Sequence, residues 1–283
     1  MSKILVTGAT GNVGSEVIKA LPDKSQVCAA DYQPERIKQV FGDSVQGVEL
    51  DFARPETFAP AFAGVSRVFL MRPPHITQIK QTFAPAIDAM KAAGVQHIVF
   101  LSLMGVEKNH FVPHYQIEQL ILQSGIPYTF LRPSFFMQNL STTHRQEIQT
   151  YHEIMVPAGS GKTSFIDVRD IAAVAAKTLS EPGHENRAYT LTGKEALSYY
   201  EVARIFTEVL GSPFRYTNPS IWRFFRQMRA KGIAASFVLV MIGIYTTARI
   251  GWAGGITPDT ERLLGRTPIT MRQFVQDYRA CWG

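Results

Sequence analysis

Three glycines at a fixed spacing carry the first recognisable chemistry in this chain. Gly8, Gly11 and Gly14 stand in the run Val6-Thr7-Gly8-Ala9-Thr10-Gly11-Asn12-Val13-Gly14, directly after a short apolar segment and directly before an amphipathic one. So tight a turn between a strand and a helix needs residues without a Cβ, and it leaves backbone N–H groups facing outward at a helix N-terminus. Such a turn binds phosphate. At the first strand–helix junction of an alternating pattern it marks a dinucleotide site, with Gly8, Thr10, Gly11, Asn12, Val13 and Gly14 around the pyrophosphate. Two carboxylates fit this reading. Asp31 ends the second apolar run, where it can accept hydrogen bonds from the adenosine ribose and would repel a 2′-phosphate. That favours NAD, whereas Arg36 and Lys38 nearby would meet the phosphate of NADP. Asp51-Phe52 ends the third run, placed either to meet the adenine with carboxylate and ring or to cap the next turn.

The elements that must hold these residues are legible from periodicity. Apolar runs at Ile4–Val6, Val27–Ala30, Val48–Leu50, Val68–Met71, Ile98–Leu101 and Tyr128–Leu131 alternate with helical stripes such as Val13, Val17, Leu21 and Ile79, Phe83, Ile87, Met90. Continuous rather than alternating hydrophobicity suits strands covered on both faces. The pattern predicts an α/β fold, a Rossmann-type doubly wound parallel sheet with a smaller C-terminal substrate lid. The expected division is 1–150 for the nucleotide domain, with 160–192 returning to its sheet, and 193–283 for the lid. Ser198 with Glu201, and Thr270 with Gln273, have the spacing of helix-capping boxes.

Composition narrows the partners. The 283 residues are 46% hydrophobic with a net charge of +6, a mild excess that suits an anionic ligand. No long Lys/Arg block argues for nucleic acid. Cys28 and Cys281 form neither a metal-type pair nor a disulfide framework, and Ile4–Val6 enter a strand at once, so a reducing cytoplasm is the expected compartment. The uncharged run from Gly232 to Ala248 contains Ser236, Gly243, Thr246 and Thr247, and reads as a buried helix rather than a membrane span.

The run Thr7 to Gly14, the Asp51 strand end, Leu131-Arg132-Pro133-Ser134-Phe135-Phe136 and Phe165-Ile166-Asp167-Val168-Arg169-Asp170 together resemble the NmrA-like NAD(P)-binding proteins. These are atypical members of the extended short-chain dehydrogenase/reductase superfamily. The group includes reductases of quinones and triphenylmethane dyes, and also non-catalytic redox sensors. The resemblance implies NAD or NADP as cofactor. It implies that Met71, Arg72, Pro73 and Ser102 flank the nicotinamide ribose and that Pro133 and Phe135 close over the nicotinamide. The superfamily's Tyr-x-x-x-Lys pair is broken here, because Gln119 stands four residues after Tyr115. His114 and Glu118 occupy i and i+4 on that helix instead, and with Ser102 they are the catalytic candidates. His114 either supplies a proton or only hydrogen-bonds its surroundings.

Two further signals need weighing. Gly159-Ser160-Gly161-Lys162-Thr163 lacks the first glycine of a phosphate loop, since Val156 stands there. Trp222-Arg223-Phe224-Phe225-Arg226-Gln227-Met228-Arg229 interleaves aromatics with arginines. It reads as an amphipathic lid helix with Phe225 and Met228 inward, and Trp222, Phe225 and the Phe237–Tyr245 run are expected to line an apolar substrate pocket. The expected activity is transfer of a hydride from NAD(P)H to a conjugated acceptor such as a quinone or dye. The alternative is an NAD(P) sensor that binds a partner protein. The expected substrate is small and apolar or aromatic, with no nucleic acid, no metal and no membrane span; an oligomer is left open.

Overall fold

The structure, a computed structural model, describes residues 3–282. Strand β1 (Lys3–Thr7) leads through the glycine turn into α1 (Asn12–Ala20). The alternation continues with β2 (Val27–Asp31), α2 (Pro34–Phe41), β3 (Gln46–Glu49), α3 (Phe58–Phe62), β4 (Val65–Leu70), α4 (Ile79–Ala92), β5 (His97–Leu101), α5 (Pro113–Ser124) and β6 (Tyr128–Pro133). Next come β7 (Phe135–Phe136), α6 (Gln138–Ser141), α7 (Arg145–Tyr151), β8 (Glu153–Ile154) and β9 (Lys162–Ile166), then α8 (Val168–Ser180) and β10 (Arg187–Leu191). The remainder is β11 (Ala196–Ser198), α9 (Tyr199–Leu210), β12 (Arg215–Tyr216), α10 (Ile221–Ala230), α11 (Ala235–Arg249), α12 (Asp259–Leu264) and α13 (Met271–Asp277).

The chain divides into two compact units. The first runs to Pro133 and takes up Val168–Leu191; the second holds Ser134–Asp167 and the chain from Thr192 onward. The boundary expected at 150 therefore falls inside the second unit. The reason is pairing: β7 and β8 bond to β9 and β12, and none of these joins the large sheet.

In the first unit seven parallel strands run in the order β10-β6-β5-β4-β1-β2-β3. Leu5, Val6, Val68, Phe69, Ile98, Val99 and Leu131 are fully buried, as strands covered on both faces require. Helices α1 and α8 pack together, as do α4 and α5. The apolar layer beneath α4 and α5 contains Phe52, Phe58, Phe83, Phe100 and Phe130. Apolar positions spaced at three and four residues, Val13 and Val17 on α1 or Ile79, Phe83 and Met90 on α4, place each helix stripe on the sheet.

The second unit has a three-stranded sheet, β11-β9-β7, a two-stranded pair, β12-β8, and an aromatic core. Tyr199 meets Phe165, Tyr216 and Tyr245 at ring-centroid separations of 5.3, 5.6 and 6.2 Å, and Phe206 meets Trp282 at 5.0 Å. The Ser198–Glu201 capping box starts α9, and the Thr270 hydroxyl accepts from Gln273 N–H to start α13. On α10 the inward residues are Phe224 and Met228. Phe225 is half-buried and stacks on Trp222 at 5.7 Å, so the expected inward Phe225 is one position out of phase. Helix α11 covers most of the uncharged run. It buries Val238, Met241, Tyr245 and Ala248 but leaves Phe237, Leu239, Val240 and Ile244 exposed, so it is half-buried rather than buried as expected. Among the described residues no helix is long and apolar enough to cross a membrane.

Close approaches of backbone to backbone set where glycine is obligatory. A Cβ on Gly161 would stand 1.8 Å from the Ala248 carbonyl oxygen, whereas one on Gly243, within α11, would meet nothing within 4 Å. Gly161→Ala must therefore shift backbone, costing about 1–3 kcal/mol and lowering the apparent Tm by roughly 3–10 °C. Gly243→Ala removes unfolded-state freedom and should stabilise by about 0.5–1 kcal/mol. Thermal melts of both variants test this pair, and equal melting of Gly161→Ala and wild type would sink it.

Candidate functional site

The strand order itself creates a binding crevice. The chain passes from β1 outward to β2 and β3, then crosses back to β4 on the other side of β1, and ligands of open parallel sheets bind at that reversal, beyond the carboxyl ends of the strands. The candidate residues stand at those ends. Gly8–Gly14 follow β1, Asp31 ends β2, Asp51 and Phe52 follow β3, Met71, Arg72 and Pro73 follow β4, Ser102 follows β5, and Pro133 ends β6. Phe135 lies in the second unit, where its ring meets the edge of Phe165.

The glycine turn is built by two constraints. Gly8 has φ +60°, a left-handed backbone that L side chains rarely adopt. A Cβ on Gly14 would stand 2.2 Å from the Gly8 carbonyl oxygen, so only glycine lets α1 begin this close to β1. Gly11 N–H donates to the Gly8 carbonyl at 3.0 Å and closes the turn. Gly11 is also the N-cap of α1, and no side chain caps that terminus. The first N–H groups of α1, with Asn12 exposed and Val13 buried beneath, are left for an external acceptor. Thr7 fastens the turn to the next strand: its hydroxyl donates to the Phe69 carbonyl at 3.1 Å and accepts from Met71 N–H at 2.8 Å. The Met71 methyl lies where a Cβ of Gly8 would be, 2.4 Å away.

The acidic candidates are already engaged. Asp31 is buried, and one of its carboxylate oxygens accepts from the Thr10 hydroxyl at 2.5 Å while the other accepts from Gln33 N–H at 3.1 Å. Asp31 thus ties the glycine turn to the end of β2. Asp51 Oδ1 accepts from Ala53 N–H at 2.9 Å, a local turn bond. Phe52 is buried and stacks on Phe83 at 4.6 Å, so its face is taken by the core.

The candidate catalytic residues gather in the same unit. The Ser102 hydroxyl is buried without a protein partner, and its N–H donates to the Leu131 carbonyl at 2.8 Å. Arg72 Nη1 donates to the carbonyls of Pro73, Pro74 and Ile76 at 3.1, 3.1 and 2.8 Å, while its buried Nε has no protein partner. His114, near the start of α5, lies 6.1 Å from the Phe100 ring. Burial first, and then the charge of Arg72, push its pKa down to about 4, so the imidazole is neutral at neutral pH. Glu118 does not pair with His114. It is buried and takes a two-pronged ion pair from Arg132 on β6, at 2.7 and 3.1 Å, and Arg132 also reaches Glu107 at 3.4 Å. Sequence reasoning assigned no role to Arg132 or Thr7. The available signal for Arg132 was a lone cation in an otherwise apolar strand, which demands a buried carboxylate.

The residues present fit a dinucleotide. The α1 N-terminus is uncapped, the extended Gly11 has only the Gly8 carbonyl near its Cβ position, at 3.3 Å, and Ser102 and Arg72 each carry a buried polar atom without a protein partner. Fold and site together define a dinucleotide-binding protein of the doubly wound α/β class. The chain belongs to the NmrA-like family, which matches residues 1–248. It is 35% identical over 288 residues to an NAD(P)H azoreductase of Xenophilus azovorans, with 99% of each chain covered. Among solved structures it is similar to triphenylmethane reductase of Citrobacter sp. complexed with NADP(H), with a TM-score of 0.86, 28% identity and coverage of 97% of this chain and 99% of that one. It is also similar to the NADPH-dependent quinone oxidoreductase of Escherichia coli complexed with NADPH, with a TM-score of 0.88, 26% identity and coverage of 98% and 99%.

The Arg132–Glu118 pair gives a direct test of the framework around α5. Arg132→Met leaves the Glu118 carboxylate buried and uncompensated, at a cost of about 3–5 kcal/mol. Adding Glu118→Leu removes that charge and should restore most of the loss. Urea unfolding of the two single variants and the double variant measures the coupling, and additive losses would contradict it.

Proposed function

We propose that this chain is an NAD(P)H-dependent reductase that passes a hydride to a conjugated acceptor, a quinone or an azo or triphenylmethane dye. The observation that carries the reading is the uncapped α1 N-terminus in a glycine cradle at the sheet's reversal point, with buried, unsatisfied atoms of Arg72 one strand further on and of Ser102 two strands further on. The activities named for the relatives support it. The bound nicotinamide supplies the hydride.

The protein's own groups bind, orient and balance charge. The α1 N–H groups hold the pyrophosphate, and Gly11 leaves it room. The Ser102 hydroxyl and Arg72 Nε take polar groups of the nicotinamide ribose. His114, neutral and half-buried, offers a hydrogen bond without carrying a charge, and Arg72 places a fixed cation near it. A conjugated acceptor gains negative charge as the hydride arrives and takes its proton from water, so no Tyr/Lys relay is required, in keeping with Gln119. Glu118 acts through Arg132, as a positioning residue.

For the cofactor we favour NADPH over NAD. Arg36 stands exposed in the first turn of α2, five residues after Asp31, as a cation free to meet a 2′-phosphate, and the similar reductases of Citrobacter sp. and Escherichia coli are complexed with NADP(H) and NADPH.

Two measurements test the reading. Oxidation of NADPH and NADH at 340 nm, with a panel of quinones and cationic and azo dyes, should show turnover with NADPH preferred. Gly11→Leu should abolish turnover and nucleotide binding while melting within a few degrees of wild type. Tight nucleotide binding with no turnover across the panel would favour the sensing role instead.

The second measurement concerns His114. In the folded protein its ring should titrate near pH 4 by NMR rather than near 6.5. The unfolded chain takes up this proton below pH 6.5 and the folded chain resists until about pH 4. Stability from this group is therefore complete above 6.5 and falls across that window. Arg72→Gln should raise the midpoint. An unshifted midpoint near 6.5 would refute the neutral histidine.

A further inference from the structure

A second concave site lies wholly within the second unit, on α10. It is a groove open to solvent, of about 520 Å³, and its lining includes Met155, Ser220, Trp222, Arg223, Arg226 and Gln227. No carboxylate lines it. Arg223 and Arg226 stand at i and i+3 and so share one face of the helix. Neither forms an ion pair with a carboxylate among the described residues, while Arg215, Arg262 and Arg272 of the same unit pair with Glu153, Asp259 and Glu208. Beside them Trp222 is 70% exposed, its ring held parallel to Phe225 at 5.7 Å with 12° between the planes. The side-chain amide oxygen of Gln227 is buried and has no protein donor.

An exposed indole face stands here beside two guanidinium groups that have no carboxylate partner among the described residues. One kind of occupant satisfies all three features. A planar arene stacks on Trp222, an anionic substituent takes two-pronged bonds from Arg223 and Arg226, and a hydroxyl or amino substituent donates to Gln227. We propose that this groove binds an aromatic anion, an aryl sulfonate or aryl carboxylate. The proposal rests on residues of the second unit alone, and its test is read without nucleotide. A lipid surface or a nucleic acid also offers anions to arginine, but an open groove with one stacking face and one cation pair matches a single ring system.

The test uses 2-naphthalenesulfonate with the full chain, followed by calorimetry and by Trp fluorescence, with neutral 2-naphthalenemethanol as its match in shape. The sulfonate should bind at least tenfold more tightly than the alcohol, and the difference should shrink as salt rises. Arg223→Gln with Arg226→Gln should erase the preference, and Trp222→Ala should weaken both ligands at least threefold. All these positions are on the surface, so melting temperatures should stay near wild type. Equal binding of sulfonate and alcohol, or retention of the preference in the double arginine variant, overturns the proposal. Arginine-dependent binding of phosphatidylglycerol vesicles or of single-stranded oligonucleotide, with none of the sulfonate, overturns it in favour of a membrane or nucleic-acid surface.

Discussion

The carbonyl oxygen of Gly8 occupies the place where a Cβ of Gly14 would stand, 2.2 Å away, and the nucleotide site descends from that contact. It brings the first turn of α1 against the end of β1, so the helix begins with its N–H groups at the crevice rather than beyond it. Thr7 then binds the same strand end to β4, and Asp31, through Thr10, binds the turn to β2. Three neighbouring strands are thus tied to one loop by side chains as well as by their ladders. A loop tied on three sides loses little freedom when a phosphate arrives, and preorganisation of this kind lowers the cost of binding.

The first unit was legible in the sequence because its physics is local and repetitive. Strands covered on both faces must be continuous apolar runs, and helices with one covered face must show a three-to-four residue stripe, so each element announces itself. The strand ends then follow, and with them the places of Gly8, Asp31, Asp51, Met71 and Ser102. The second unit lacks that redundancy. Its strands β7, β8 and β12 are two residues long, and they pair across long stretches of chain, which no periodicity reveals. Hence 134–150 and 160–167, expected with the nucleotide domain, lie in the second unit. Phe224 and Phe225 are equally apolar, and only the tertiary partner, the edge of Tyr245 at 5.6 Å, decides which of them turns inward.

The side-chain partners were harder still. His114 and Glu118 do share a helix face by spacing, but spacing says nothing about a competitor from another element. Arg132, reaching over from β6, offers Glu118 a two-pronged charged bond in a buried setting, and a neutral imidazole offers far less. Asp31 shows the same effect. Its position at the end of β2 is what a ribose-binding carboxylate needs, yet the Thr10 hydroxyl and Gln33 N–H occupy it first. In both cases the side chain has a partner within the protein that its place in the sequence does not reveal.

These redirected bonds bear on the chemistry. With Glu118 neutralised by Arg132, the buried carboxylate of α5 is paired, while Arg72 keeps one donor unspent. The charge felt by the neutral His114 is therefore that of Arg72. An enzyme that must remove a proton from an alcohol needs a base there, and the unit supplies none at the position where Gln119 stands. An acceptor that gains negative charge as it is reduced needs a cation and a hydrogen-bond donor already in place, since fixed dipoles in a dry site act without reorganising. Arg72 and His114 match that need, and a hydride-receiving conjugated acceptor is the chemistry this charge arrangement favours.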